Sequence, residues 1–284
     1  MKLPGFEWVY GVDFSGARLA GRTTWVARCA VRRGRPRLVL RDLHRLDSLC
    51  GTAERAACLE HLVGMVKASS AALWGFDAPL GLPVELFPPG RDWAGQFDFL
   101  AEWHDDAYGC GLECIRRARL LGDRMHIRRA TDAEAKAPFD SYHYRVVYQM
   151  FHGMRDVARP LSQTPGTAVL PFQYRKLSRA RRVVVECCPS SVLKALGLPH
   201  QNYKQPAGGP LTRKRRLTRH AILAGLRGLV RVGDGHRRVV MRDPGADAMD
   251  AVVAAAGAFR GVLAADHAAI AKHDRYPREG YLFA

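Results

Sequence analysis

The chain has 284 residues, 48% apolar and 25% charged, which is too many core-forming side chains for a disordered protein and enough to bury one substantial core. Lys and Arg together number 44 against 27 Asp and Glu, a formal net charge of +17 that points to a polyanion (nucleic acid, an acidic membrane surface or a phosphorylated ligand), with a compositional bias towards Arg as the competing reading. The most apolar long stretch, residues 246–265, is broken by Asp247, Asp250 and Arg260, so no run of about 18 apolar residues argues for a membrane span, and residues 1–7 do not read as a signal peptide.

In chain order, Trp8–Asp13 reads as a short apolar strand ending at an acid, followed by strands over 23–27 and 38–40. Arg32-Arg33-Gly34-Arg35-Pro36 punctuates the last two as a turn, so the three strands are predicted to form an antiparallel meander. Ala56, Leu59, Leu62, Val63 and Val66 recur at helical spacing and predict a helix over 52–67. Residues 71–77 form another buried strand that ends at an acid. From about 83 to 179 the rhythm breaks into proline turns, aromatics and a helix predicted over 140–158. Its stripe is Val146, Val147, Met150, Phe151, Met154 and Val157, with Arg145, Gln149 and His152 on another face. This stretch is expected to be a large, mostly helical insertion within a single domain spanning 1–284. Arg182–Glu186 is the third apolar strand to end at an acid. A short helix over 189–196, stopped by Gly197, a basic helix opening at 212–220, and an Ala-rich helix carrying Asp247 and Asp250 complete the α/β pattern.

Seven cysteines (29, 50, 58, 110, 114, 187 and 188) are odd in number, with two adjacent, which suits reduced thiols in a cytoplasm. Cys110 and Cys114 lie between His104 and His126 and are a zinc candidate. One Cys pair without the tight spacing of structural zinc sites favours ordinary thiols.

Three strands ending in Asp13, Asp77 and Glu186, with Asp247 and Asp250 at i, i+3 on one helix face, are the constellation that carries chemistry. The small residues behind that pair (Ala251, Val252, Val253, Ala254) let the helix pack closely on a sheet and bring Asp250 towards the strand ends. Several carboxylates cannot remain ionised together without cations, and all-oxygen ligands select Mg2+ or Mn2+. Two such ions form the clamp used in phosphodiester hydrolysis.

Gly11-Val12-Asp13-Phe14-Ser15-Gly16-Ala17, Phe76-Asp77-Ala78-Pro79-Leu80-Gly81-Leu82-Pro83, Val185-Glu186-Cys187-Cys188-Pro189 and Asp247-Ala248-Met249-Asp250-Ala251 occur in that order. Together they resemble the domain of unknown function 429 family, whose members are predicted nucleases with a ribonuclease-H-like fold. The likeness runs from Tyr10 to about Leu282 and takes in Tyr203-Lys204, Arg213, Arg216 and the Glu279-Gly280-Tyr281 tail. It implies a mixed five-stranded sheet, its first three strands antiparallel, with helices on both faces. It also places Asp13, Asp77, Glu186 and Asp250 at a metal site, with Asp247 either a ligand or only a helix-start residue.

The leading expectation is therefore a two-metal nuclease using Mg2+ or Mn2+ on DNA or RNA, with Lys204, Arg213, Arg216 and Arg219 as candidate phosphate contacts. For these basic residues a solvated loop or helix face is the competing reading. Two other functions compete: a nucleic-acid-binding protein of the same fold without chemistry, and a nucleotide-binding phosphotransferase of the actin and sugar-kinase type. In the latter Asp13-Phe14-Ser15-Gly16 would cradle phosphates, but such enzymes usually need two copies of the fold and no internal repeat is visible.

Overall fold

The computed structural model describes residues 2–34, 37–206 and 208–284; Arg35 and Pro36 of the expected turn lie outside the described residues. The meander forms as expected. Strand β1 (Trp8–Asp13) pairs antiparallel with β2 (Trp25–Val31), which pairs antiparallel with β3 (Leu38–Arg45). On the other side of β1 the chain adds β4 (Ala72–Asp77) in parallel. Two further strands, β5 (Thr167–Leu170) and β6 (Arg182–Glu186), continue that edge in parallel, and a two-residue β7 (Val230–Arg231) joins β3.

The result is an α/β protein with a seven-stranded mixed sheet in the order β5-β6-β4-β1-β2-β3-β7, not a sheet of five. The two extra strands are short. All four residues of β5 are buried, so β5 shows no alternation that would mark it out inside a region expected to be helical. β7 is only two residues long.

Side chains alternate across the sheet and build a core on each face. On one face Val12, Trp74, Phe76 and Val184 pack under α1 (Arg55–Ala68) and three helices of the insertion, α2 (Trp93–Ala101), α3 (Ala107–Leu120) and α4 (Val147–His152). On the other, Val9, Leu73, Val183 and Val185 pack under α5 (Pro189–Ala195), α6 (Arg213–Gly225), α7 (Asp234–Arg242) and α8 (Asp247–Ala264). The insertion thus shares the sheet's own core. Cys110 and Cys114 are buried in it as core thiols of α3.

The helix expected over 140–158 begins only at Val147. Residues 141–146 form turns, with Tyr142 buried and its hydroxyl accepting from the Ile127 amide at 2.6 Å. From Gly153 the coil widens into a π-helical turn to Ala158 and continues as helix Arg159–Gln163. Pro160 there occupies the first turn, where its missing N–H costs little. No helix among the described residues is long and apolar enough to cross a membrane.

Helix α8 packs closely on the strand pair β1–β4. A Cβ at Gly11 would fall 2.0 Å from the carbonyl oxygen of Ala251, and one at Gly75 2.5 Å from the Cβ of Ala258. Small residues on both sides bring the helix onto the sheet, as its Ala-rich sequence leads one to expect. The first turn of α8 consequently lies over the ends of β1 and β4.

Candidate active site

The parallel register of β1 and β4 sets Asp13 directly opposite Asp77, on the face covered by α8. Asp250, one turn into α8, is 1% exposed, and Asp13 is 7% exposed. Burial, then Asp250, raises the Asp77 carboxyl to about 7. Asp13 is pushed well above the usual carboxylate range by burial, with Asp250, Asp247 and Asp77 all adding repulsion. Asp247, at the start of α8, rises to about 6 through burial and the charges of Asp243 and Asp250. Asp13, Asp77 and Asp247 are therefore each made harder to ionise by burial and by the neighbouring acids, in one electrostatic environment that Asp250 shares.

One cation holds this group together. The Lys204 ammonium lies 2.5 Å from Oδ2 of Asp250, and the Tyr203 hydroxyl donates to Oδ1 at 2.9 Å. Burial works against the charge on Lys204, but the carboxylates of Asp250 and Asp13 outweigh it and raise its pKa.

The loop that carries Tyr203 and Lys204 is fixed by Arg219. This side chain is fully buried and spends its donors on four carbonyl oxygens: Tyr203 (2.7 Å), Val240 (2.8 Å), Asp243 (2.6 Å) and Pro244 (2.9 Å). With four of its five N–H donors used in this way and the side chain fully buried, Arg219 does not present itself to a phosphate, and the contact expected of it is replaced by an internal one. It staples the Tyr203 loop to the turn that precedes α8. Arg213 and Arg216 are exposed on the same helix, and it is Arg215, held at 2.6 Å by Gln205, that lines the cleft.

Glu186 sits differently from the other acids. It pairs in register with Phe76, not Asp77, so alternation turns it towards the insertion side of the sheet. There it meets Arg129, which is 1% exposed and grips both carboxylate oxygens, at 2.5 and 2.8 Å; the Leu80 amide donates to one of them at 3.0 Å. Arg129 also holds Asp132 at 2.7 Å and the Glu279 carbonyl at 3.2 Å. Burial raises the Glu186 pKa and the Arg129 charge opposes that rise. The C-terminal tail closes this wall, with Leu282 bridging to Glu186 and the Phe283 amide donating to its carbonyl at 3.0 Å. Nothing in the sequence separates Arg129 from the other 35 arginines; only its position behind a strand-end acid does.

Asp13, Asp77, Glu186, Asp247 and Asp250 all line one open cleft of about 810 Å3, with Lys204, Arg215, Arg145 and Arg129 around them. Gln149, expected on a polar helix face, donates to the Phe14 carbonyl at 2.7 Å and fixes the loop that follows Asp13. His152 of the same expected face is buried and bonds Asp156 at 2.7 Å. The aspartate oxygens are hard donors of the kind Mg2+ and Mn2+ prefer. Among the described residues no group of three His, Cys, Asp or Glu side chains is arranged to hold a metal ion. In this arrangement the Lys204 ammonium is the counter-charge of the acids. Set against protein-family models, curated proteins and solved structures, the chain matches none of them.

Proposed function

We propose that this chain is a divalent-metal-dependent phosphodiesterase acting on nucleic acid, built on a ribonuclease-H-like sheet. The observation that carries this reading is the gathering of Asp13, Asp77, Asp247 and Asp250 from β1, β4 and α8 into one cleft of a protein with net charge +17. The run β3-β2-β1-β4-β6, with its first three strands antiparallel, supports the fold assignment that the sequence motifs imply.

Asp13, Asp77, Asp247 and Asp250 would hold Mg2+ or Mn2+, in competition with the Lys204 ammonium. Bound ions there would supply an activated water and neutralise the charge that develops on the leaving oxygen. The chain's own residues do the rest. Lys204 and Arg215 present positive charge to a backbone phosphate, and Gln149 holds the Asp13 loop in place. Both carboxylate oxygens of Glu186 are committed to Arg129, so it fixes the wall of the cleft and orients the loop after β4 through the Leu80 amide.

The test is cleavage of labelled DNA and RNA oligonucleotides by purified protein with Mg2+, with Mn2+ and with EDTA. Cleavage that needs the metal and falls at least about a hundredfold in Asp13→Asn, the scale of losing one group that stabilises transition-state charge, is the expected result. Cleavage that persists in EDTA or in the Asn variant would contradict the proposal.

A further inference from the structure

We infer that the polynucleotide taken by this cleft is single-stranded, and that its bases stack on an aromatic and cationic platform formed by Phe139, His143, Tyr144 and Arg145. The inference rests on the phosphodiesterase reading for what happens at the acids, but its own evidence is separate. Phe139 lines the cleft and stacks on His143, with ring centroids 4.6 Å apart and planes at 21°. His143 in turn meets Tyr144 at 4.4 Å. The Arg145 guanidinium lies 5.5 Å from the Phe139 ring and 5.7 Å from Tyr144, donating to the Tyr144 hydroxyl at 3.0 Å.

The platform leads from the cleft to solvent. Tyr144 is 64% exposed. A large aromatic left in water beside an arginine that lines the cleft, as Tyr144 is beside Arg145, has a use that a core aromatic does not. Every base offers a π-face, so a ring of this kind binds a strand without regard to sequence. The segment is also rigid at its root, because Ser141 and Tyr142 are buried and the Tyr142 hydroxyl is anchored by the Ile127 amide.

Two features favour a single strand over a duplex. In a duplex the base faces are already stacked on their neighbours and cannot lie on a ring. The acids are also recessed, with Asp250 1% and Asp13 7% exposed, at the floor of a cleft of about 810 Å3. That volume is in the range of sites that enclose a small molecule, about 300–1,000 Å3, and suits one or two splayed nucleotides rather than a double helix.

Fluorescence anisotropy with full-length protein in EDTA, where no hydrolysis can occur, tests this directly. The probes are fluorescein-labelled dT15, rU15 and a 15-base-pair DNA duplex. Expected is tighter binding of a single strand than of the duplex by tenfold or more. Tyr144→Ala should weaken single-strand binding about tenfold, on the scale of one lost base–aromatic stack, while Tyr144→Phe keeps it; the dT15 and rU15 arms show which sugar is preferred. Equal affinity for duplex and single strand, or unchanged affinity in Tyr144→Ala, would overturn the inference. Strand binding that depends on Tyr144 without metal-dependent cleavage would uphold the platform and defeat the phosphodiesterase reading. Cleavage indifferent to Tyr144 would do the reverse.

Discussion

Four aspartates around one lysine make the floor of this cleft electrostatically costly. For Asp77 the sign of that cost follows from its pKa, about 7 in the folded chain against an ordinary 3.8. The folded state holds the proton more tightly than the unfolded one. The stability this group contributes is therefore present in acid and is lost as pH rises through about 7. In EDTA, Asp77→Asn should melt above the unmodified chain at pH 8, and the gain should shrink towards pH 5; a gain independent of pH would mean that Asp77 is not the group that pays. Lys204 acts in the opposite sense. Lys204→Ala leaves Asp250 buried without its cation and should cost about 1–2 kcal/mol. This is less than the about 3–5 of a fully buried pair, because roughly half of the Lys204 side chain faces solvent. Saturating Mn2+ should restore more stability to this variant than it adds to the unmodified chain, as thermal denaturation with and without the metal would show. A variant that melts unchanged, or is indifferent to Mn2+, would mean that Lys204 and a cation do not share a place.

At the scale of elements, the site depends on how closely α8 lies on β1 and β4. Gly11→Ala would drive a methyl group to 2.0 Å from the Ala251 carbonyl. The helix must shift, and overpacking of this kind costs about 1–3 kcal/mol. Because Asp250 rides on the same helix, activity should fall along with the midpoint of urea unfolding, and an unchanged midpoint would contradict the packing described here. The strand-end acids and the small face of α8 are legible in the sequence, since both are local patterns. The pairing register is not, and it decides which face each acid occupies. Asp13 and Asp77 are opposite one another, whereas Glu186 stops level with Phe76 and so turns to Arg129. For the same reason a run of basic residues reads as one surface, although Arg219 points inward to four carbonyls while Arg213 and Arg216 stay in water. β5 was illegible for a third reason: a four-residue strand buried on both faces has no alternation to betray it.

Over the whole molecule, a net charge of +17 contrasts with a cleft where Asp13, Asp77, Asp247 and Asp250 come together. On the function proposed above, a net positive charge of this size would draw a polyanion in, and the acids would require a cation if the backbone is to approach them. The insertion contributes more than cover. It supplies Arg129 to the cleft wall, Gln149 to the loop after Asp13, and the aromatic platform at the mouth, while its helices complete the core on one face of the sheet. The claim on which everything else depends is that the aspartate cluster is a metal site. The most direct measurement is a crystal structure of the protein soaked in Mn2+, read by its anomalous signal. Manganese between Asp13, Asp77 and Asp250, with Lys204 drawn off Asp250, is the expected result; a cleft free of manganese at saturating Mn2+, with Lys204 still paired to Asp250, would contradict it.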